Sequence, residues 1–333
     1  MDAKITKERL NRILSYDWLK IVGLAVVAII VWTLVFTTSA TRITPAQQFT
    51  VINYFGNVST LHTTLSTDVN KAFQDGTFSY EVIEISDPID VGGNAEMGAT
   101  LMDTRVATEE GDVVFVPNIE NAGSEYVING KKYRDTYLQG LIRGYRWALH
   151  DLDRASQDGY FAKLENFLNR YYTNGYENET LNEEKIKQDF LTRIQENKDK
   201  RFKKDEQIQK GIQDEIARVK KYRDALIEFD GYLESGLVEL THTVIANMEK
   251  GETVMEGVYS INICPDPEKM PNLNKIVAYA QEVKNEAGEA QAPKFVAKDM
   301  NVAIMKFDGM EESFEYEGLL YVNHVIRVSK ATA

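Results

Sequence analysis

Much of the chemistry that a sequence can announce is missing from this chain. Of its 333 residues one is a cysteine, Cys264, so no intrachain disulfide framework can form. Cys264 ends an apolar run and reads as a structural thiol, not a nucleophile. The four histidines, His62, His150, His242 and His324, are widely separated, and none lies in an H-E-x-x-H or H-x3-H pattern. A zinc site therefore has no support. Gly92-Gly93 is not followed by Gly-Lys-Ser/Thr, and Gly-x-Ser-x-Gly does not occur, so neither a phosphate-binding loop nor a nucleophile elbow is present. Positive charge is also short: 38 Lys and Arg face 51 Asp and Glu, a net charge of −13. That balance argues against nucleic acid as a partner. The sequence thus predicts no catalytic residue, no metal and no cofactor, and a protein that is not an enzyme.

What is present begins with one long apolar run over residues 19–36. Lys20 is its only charge, and Thr33 is the only polar position from Ile21 onward. At about 1.5 Å per residue it nearly crosses a bilayer core, and the flanking positions out to 40 complete the span. Trp18 and Trp32 suit the two interfacial belts. Lys4, Lys7, Arg9, Arg12 and Lys20 precede or open the span, and only Arg42 follows closely. The positive-inside bias predicts a cytoplasmic N-terminus and export of the rest. Leu10, Ile13, Leu14 and Trp18 recur at helical spacing, as either an interfacial helix or a lead-in to the span. The run is longer than a usual signal-peptide core of ~7–15 residues, so an uncleaved anchor is expected in preference to a cleaved signal. With no cysteine directly after the span, a lipidated anchor is not expected. An exported domain without disulfides points to a bacterial surface. Asn57 and Asn178 head short glycosylation-like triplets, for which chance is the better explanation.

Beyond the span the expectation is an α/β fold. Residues 49–53 alternate as a strand, and 60–73 carry Leu61, Leu65, Val69 and Phe73 on one helical face. Residues 79–85 alternate again, 94–108 read as a helix, and Asp112 to Val116 form a short apolar strand of the buried kind. This is a βαβαβ order. Residues 117–132 read as loop, with Asn129-Gly130 as a turn. Tyr133, Tyr137, Leu141, Tyr145 and Leu149 step by four and predict one thick helix over 133–154, with Trp147 widening its buried face. A further helix runs through 161–172. Residues 181–229 contain no proline, and Ile208, Ile212, Ile216, Val219, Tyr222 and Leu226 make a heptad-like seam. Ile186, Phe190 and Ile194 make an earlier one. The charged stretch between them predicts a hairpin tip or a bend. Then come a helix over 237–248, a strand over 257–264, a short helix over 273–283, an exposed loop over 286–293, a strand over 301–307, and a helix with a short strand over 311–328.

The segment from Thr100-Leu101-Met102 through Glu110-Gly111-Asp112 to Val113–Val116 resembles the first lobe of type 2 extracellular solute-binding proteins. Ser15-Tyr-Asp-Trp-Leu-Lys20 resembles the aromatic lead of a membrane-anchored Gram-positive group of such proteins. The resemblance implies a binding-protein-like lobe over residues 41–132, closed by residues 251–333. Residues 133–250 would then be a long, coiled-coil-like helical insertion or a second lobe. Residues 1–18 would be the cytoplasmic lead and 19–40 the anchor, touching lipid.

A ligand site in such a sheet belongs at the carboxyl ends of the strands. There Tyr54 and Phe55 could stack on a ligand and Asn53, Asn57 and Asn118 could hydrogen-bond it. The blander reading is that these residues cover the sheet end and serve turns. The functional expectation is a single-pass extracytoplasmic binding protein that captures a small solute or docks a transporter or another envelope protein. Its rival is a structural envelope protein whose helical region forms a homo-oligomer or holds a partner.

Overall fold

A computed structural model describes residues 18–39, 48–54, 82–85, 95–178, 180–199, 201–247, 249–281, 288, 291–292, 294–307 and 312–330, together with 7, 8 and 11. The expected helix over 60–73 and most of the loop over 286–293 lie outside the described residues. The chain divides into two units, Met1–Thr44 and Pro45–Ala333.

The first unit holds helix α1, Trp18–Ser39. Its segment Trp18–Thr37 has a mean hydropathy of 2.6 and no buried residue, so it is not the core helix of a soluble domain. It is long and apolar enough to cross a membrane, as an anchor or as a signal sequence. The hydroxyls of Thr33 and Thr37 donate to the carbonyls of Ile29 and Thr33, at 2.8 Å each. Within Trp18–Thr37 both hydroxyl side chains are therefore satisfied inside the helix, as a bilayer requires.

The second unit is a mixed α/β fold. Strands β1 (Gln48–Asn53), β2 (Val82–Ile85) and β3 (Val113–Pro117) are parallel, with β1 in the middle and helix α2 (Ala95–Ala107) joining β2 to β3. Three more strands extend this sheet: β6 (Glu239–Ala246), β7 (Thr253–Asn262) and β10 (Met300–Ile304). The order is β2-β1-β3-β10-β7-β6, with β10 antiparallel to β3 and β7, and β6 antiparallel to β7. Central strands β3 and β10 are buried at every position, which is why they are apolar apart from Asn301, whose side-chain oxygen accepts from Thr241 and Ser260.

Helices cover both faces. On one side Phe49, Val51, Phe115, Val302 and Ile304 pack against α4 (Tyr160–Asn169), α6 (Asp205–Glu234) and α7 (Glu317–Ser329). On the other, Ile52, Val114, Val116 and Met305 pack against α2 and α3 (Tyr137–Tyr145). Helix α5 (Glu183–Glu196) completes a hairpin with α6, and the charged stretch is its tip. Of the residues expected to form a seam, Ile212, Ile216, Val219, Tyr222 and Leu226 are buried and Ile208 packs against the core half-buried. They belong to the same core as the sheet, so the helices are a layer of the domain.

Several expectations are corrected. Residues 117–132 are not loop: β4 (Glu120–Ile128) and β5 (Lys131–Thr136) form a hairpin. Asn129 and Gly130, with φ of 52° and 78°, are its two-residue turn. The strands were illegible because they are polar. Glu125 takes Lys132 at 2.7 Å and Arg134 at 2.9 Å, and Tyr126 stacks on Tyr133. The helix expected from 133 starts at Tyr137, where Thr136 and Gln139 form a reciprocal capping box, and stops at Tyr145. Trp147, assigned to its buried face, is 64% exposed. The helix expected over 237–248 is strand β6, whose β-branched Thr241, Thr243, Val244 and Ile245 suit pairing with β7. The helix expected over 273–283 is one turn, Leu273–Ile276, followed by β8 (Tyr279–Gln281), which pairs with β9 (Lys294–Val296). No strand follows α7 among the described residues. The boundaries expected at 132 and 250 fall inside β5 and inside the β6–β7 turn.

Candidate functional site

Because β10 opposes both β3 and β7, strands β1, β2, β3 and β7 all run the same way. Their carboxyl ends share one edge of the sheet. Asn53 and Tyr54 stand there, but both are buried. The Tyr54 amide donates to the Phe115 carbonyl at 2.8 Å, and its ring joins the core with Met102 and Val106. Burial, then the nearby Asp103 and Tyr137, push the Tyr54 hydroxyl up to about 12. Tyr145 donates to Asp103 at 2.9 Å beside it. Tyr54 is thus placed as core, and Phe55 and Asn57 lie outside the described residues.

Asn118 leads elsewhere. Its amide donates to the Asp299 carbonyl at 2.9 Å, and the Asp299 amide donates to the Cys264 carbonyl at 3.0 Å. Asn262 ties the same corner: its Nδ2 donates to Asp299 Oδ1 at 3.2 Å and its Oδ1 accepts from the Cys264 amide at 3.0 Å. Asp299 holds a left-handed φ of 55° to make the turn into β10. These bonds knit the carboxyl ends of β3 and β7 together.

Beside this corner lies a cavity of about 280 Å³. Met270, Pro267 and Pro271 form one wall, and Phe295, Val296 and Ala297 another. Cys264 and Tyr279 are also in the lining, while Asn274, Gln281, Lys294 and Lys298 supply its polar groups. Prolines 265, 267 and 271 stop β7 from continuing and turn the chain around the space. Tyr279 fixes the small β8–β9 sheet by donating to the Lys298 carbonyl at 3.0 Å. Burial first, and then Asp299 and Asp266, push the Cys264 thiol up to about 11. It is therefore a neutral thiol, unsuited to nucleophilic attack.

A second polar cluster lies between the helices. Glu215 accepts from Arg193 at 3.0 and 3.2 Å and also pairs with Arg218. Arg218 reaches Glu317 at 3.3 Å. Burial holds the Glu317 carboxyl well above the usual carboxylate range. His150, 2% exposed, has Glu315 at 3.8 Å and the Tyr160 ring edge-on at 4.8 Å. Burial, with Lys163 and Lys306 nearby, lowers it to about 3. These groups are enclosed by helix and sheet and tie the layers together. Among the described residues no three His, Cys, Asp or Glu side chains come together as a metal site.

Compared with known proteins, the chain matches no family model, no curated protein and no solved structure. Its chemistry has to be argued from its own residues. Of the three described ligand candidates, Asn53, Tyr54 and Asn118, the bonds above tie Asn118 to the cavity, through Asp299 and Cys264. The cavity residues were missed because they come from 264–298, where strand, turn and loop alternate every few residues without a period. The three closely spaced prolines after an apolar strand were the available signal.

Proposed function

We propose that this chain is a membrane-anchored, extracytoplasmic binding protein that captures a small solute beside the carboxyl ends of β3 and β7. The observation that carries the reading is the cavity's place. It is a largely apolar hollow with a few polar groups, at the sheet edge where α/β folds bind ligands. The apolar helix supplies the anchor in lipid, and the basic residues before it favour a cytoplasmic N-terminus. The solute-binding-protein-like segment from Thr100 to Val116 forms α2, the Gly111-Asp112 turn and β3, in keeping with a binding lobe. A transporter or another envelope protein would receive the solute.

The rival reading, oligomerisation through the helical seam, has less to work with, because Ile212, Ile216, Val219, Tyr222 and Leu226 are buried within one domain. Native mass spectrometry of the full chain in nanodiscs, purified from its own envelope, tests the proposal. A small molecule released on denaturation is expected. A ligand-free, defined oligomer would overturn the proposal in favour of assembly.

A further inference from the structure

Resting on that reading, we propose that the cavity beside Cys264 takes a small amphipathic organic anion, its apolar end among Met270, Phe295 and Ala297 and its charge toward Lys294 and Lys298. Size comes first. At about 280 Å³ and partly open to solvent, the hollow suits a small organic molecule.

Charge decides the class. The chain carries 51 acidic and 38 basic residues, yet among the described residues the lining contains two lysines and no Asp or Glu. Lys294 and Lys298 are exposed, and neither makes an ion pair with a described residue. Asp299 and Asp266 act on the Cys264 side of the cavity, where their charge helps to raise the thiol; Asp299 accepts from Asn262 and Asp266 from the Glu268 amide at 3.0 Å. A cation entering here would meet the two ammonium groups, whereas an anion gains from both. The Cys264 thiol, held neutral, adds no opposing charge. The walls favour an unbranched or aromatic body over a second polar end, since Met270 and Ala297 are buried apolar surface. Gln281 and Asn274 remain for hydrogen bonds to the anionic head.

Phenylacetate, 2-phenylethanol and phenethylamine share one ring and differ in charge, so they separate these terms. Calorimetric titration of the full chain in zwitterionic nanodiscs, with empty nanodiscs as the blank, should rank phenylacetate tightest, by about tenfold over the amine. The double variant Lys294→Gln, Lys298→Gln should cost phenylacetate about fivefold or more and leave 2-phenylethanol unchanged. Raising salt from about 0.01 M to 1 M should weaken the anion alone, as screening shortens. Ala297→Trp should abolish binding of all three. If that variant does not melt cooperatively, the lysine pair carries the test.

Equal affinities, a preference for the amine, or phenylacetate binding that ignores the lysine variant would each overturn the proposal. A cationic or much larger molecule co-purifying in the native spectra would also overturn it while leaving the capture reading intact. An envelope-purified chain that carries no ligand, forms a defined oligomer and binds none of the three would sink both.

Discussion

At the scale of single residues, two positions show how the fold constrains the chain. Gly111 sits in the turn before β3 with φ of 132°, and an added Cβ would lie 2.6 Å from Met305 Sδ and 2.7 Å from Ile52 Cδ1. Gly111→Ala should therefore lower stability by about 2 kcal/mol, from backbone strain and overpacking together, read as a fall in the urea midpoint. His150 gives a pH dependence. Its folded value of about 3 lies below the ordinary 6.5, so between these the unfolded chain holds a proton that the folded chain does not. Stability is then full above about 6.5 and falls as pH drops toward 3, by up to about 1.4 kcal/mol per pH unit. His150→Leu should flatten that part of the melting-temperature profile, and an unchanged profile would show that other groups set it. The sequence places Gly111 just before an apolar strand, but the reason it must be glycine lies in Ile52 and Met305, one before it and one 194 positions after it in the chain. His150 likewise looked like an isolated histidine until burial gave it a consequence.

At the scale of elements, helix α6 and the β4–β5 hairpin illustrate opposite degrees of legibility. The α6 seam follows from its 3–4 spacing, and the structure adds what it packs on. Ile212→Asp or Val219→Asp should destabilise the domain by several kcal/mol, because each would bury a charge without a partner. The readout is a lower melting temperature; a folded variant with changed association and unchanged melting would mean the seam faces another chain. Gly211 belongs to the same contact. A Cβ there would come 2.5 Å from Phe190 and 2.6 Å from Phe202, so the two helices approach closely only because the side chain is missing. The hairpin, by contrast, is held by side chains that look like surface. Arg143 on α3 donates to Asp135 of β5 at 2.9 and 2.7 Å and to the Ala246 carbonyl of β6 at 2.9 Å. Gln139 donates to the Val244 carbonyl at 2.9 Å. These bonds cover part of the exposed edge of β6, which would otherwise present unpaired carbonyls. Arg143→Ala should cost about 3 kcal/mol by denaturation, since it strands the buried Asp135 carboxylate. Polar strands of this sort carry no period-two apolar signal, so their pairing could not be read in advance.

For the molecule as a whole, the decisive experiment concerns orientation. A thiol reagent that cannot cross membranes should label a cysteine placed at exposed Gln291 in intact cells and should not label one placed at Asn11. Cys264, 1% exposed and with its thiol held neutral, should stay silent in the background. The reverse pattern would invert the topology. The sequence alone determined the apolar helix, the mixed α/β class and the central strands, because each rests on local hydrophobicity or on burial from both sides. Only the tertiary structure decided that β6 is a strand, that the helical region shares one core with the sheet, and that the hollow at Cys264 exists. Those features depend on contacts between residues far apart in the chain: β6 needs β7, the seam needs the sheet, and the cavity needs prolines 265–271 to meet β9. Local spacing carries no record of such meetings, and packing does.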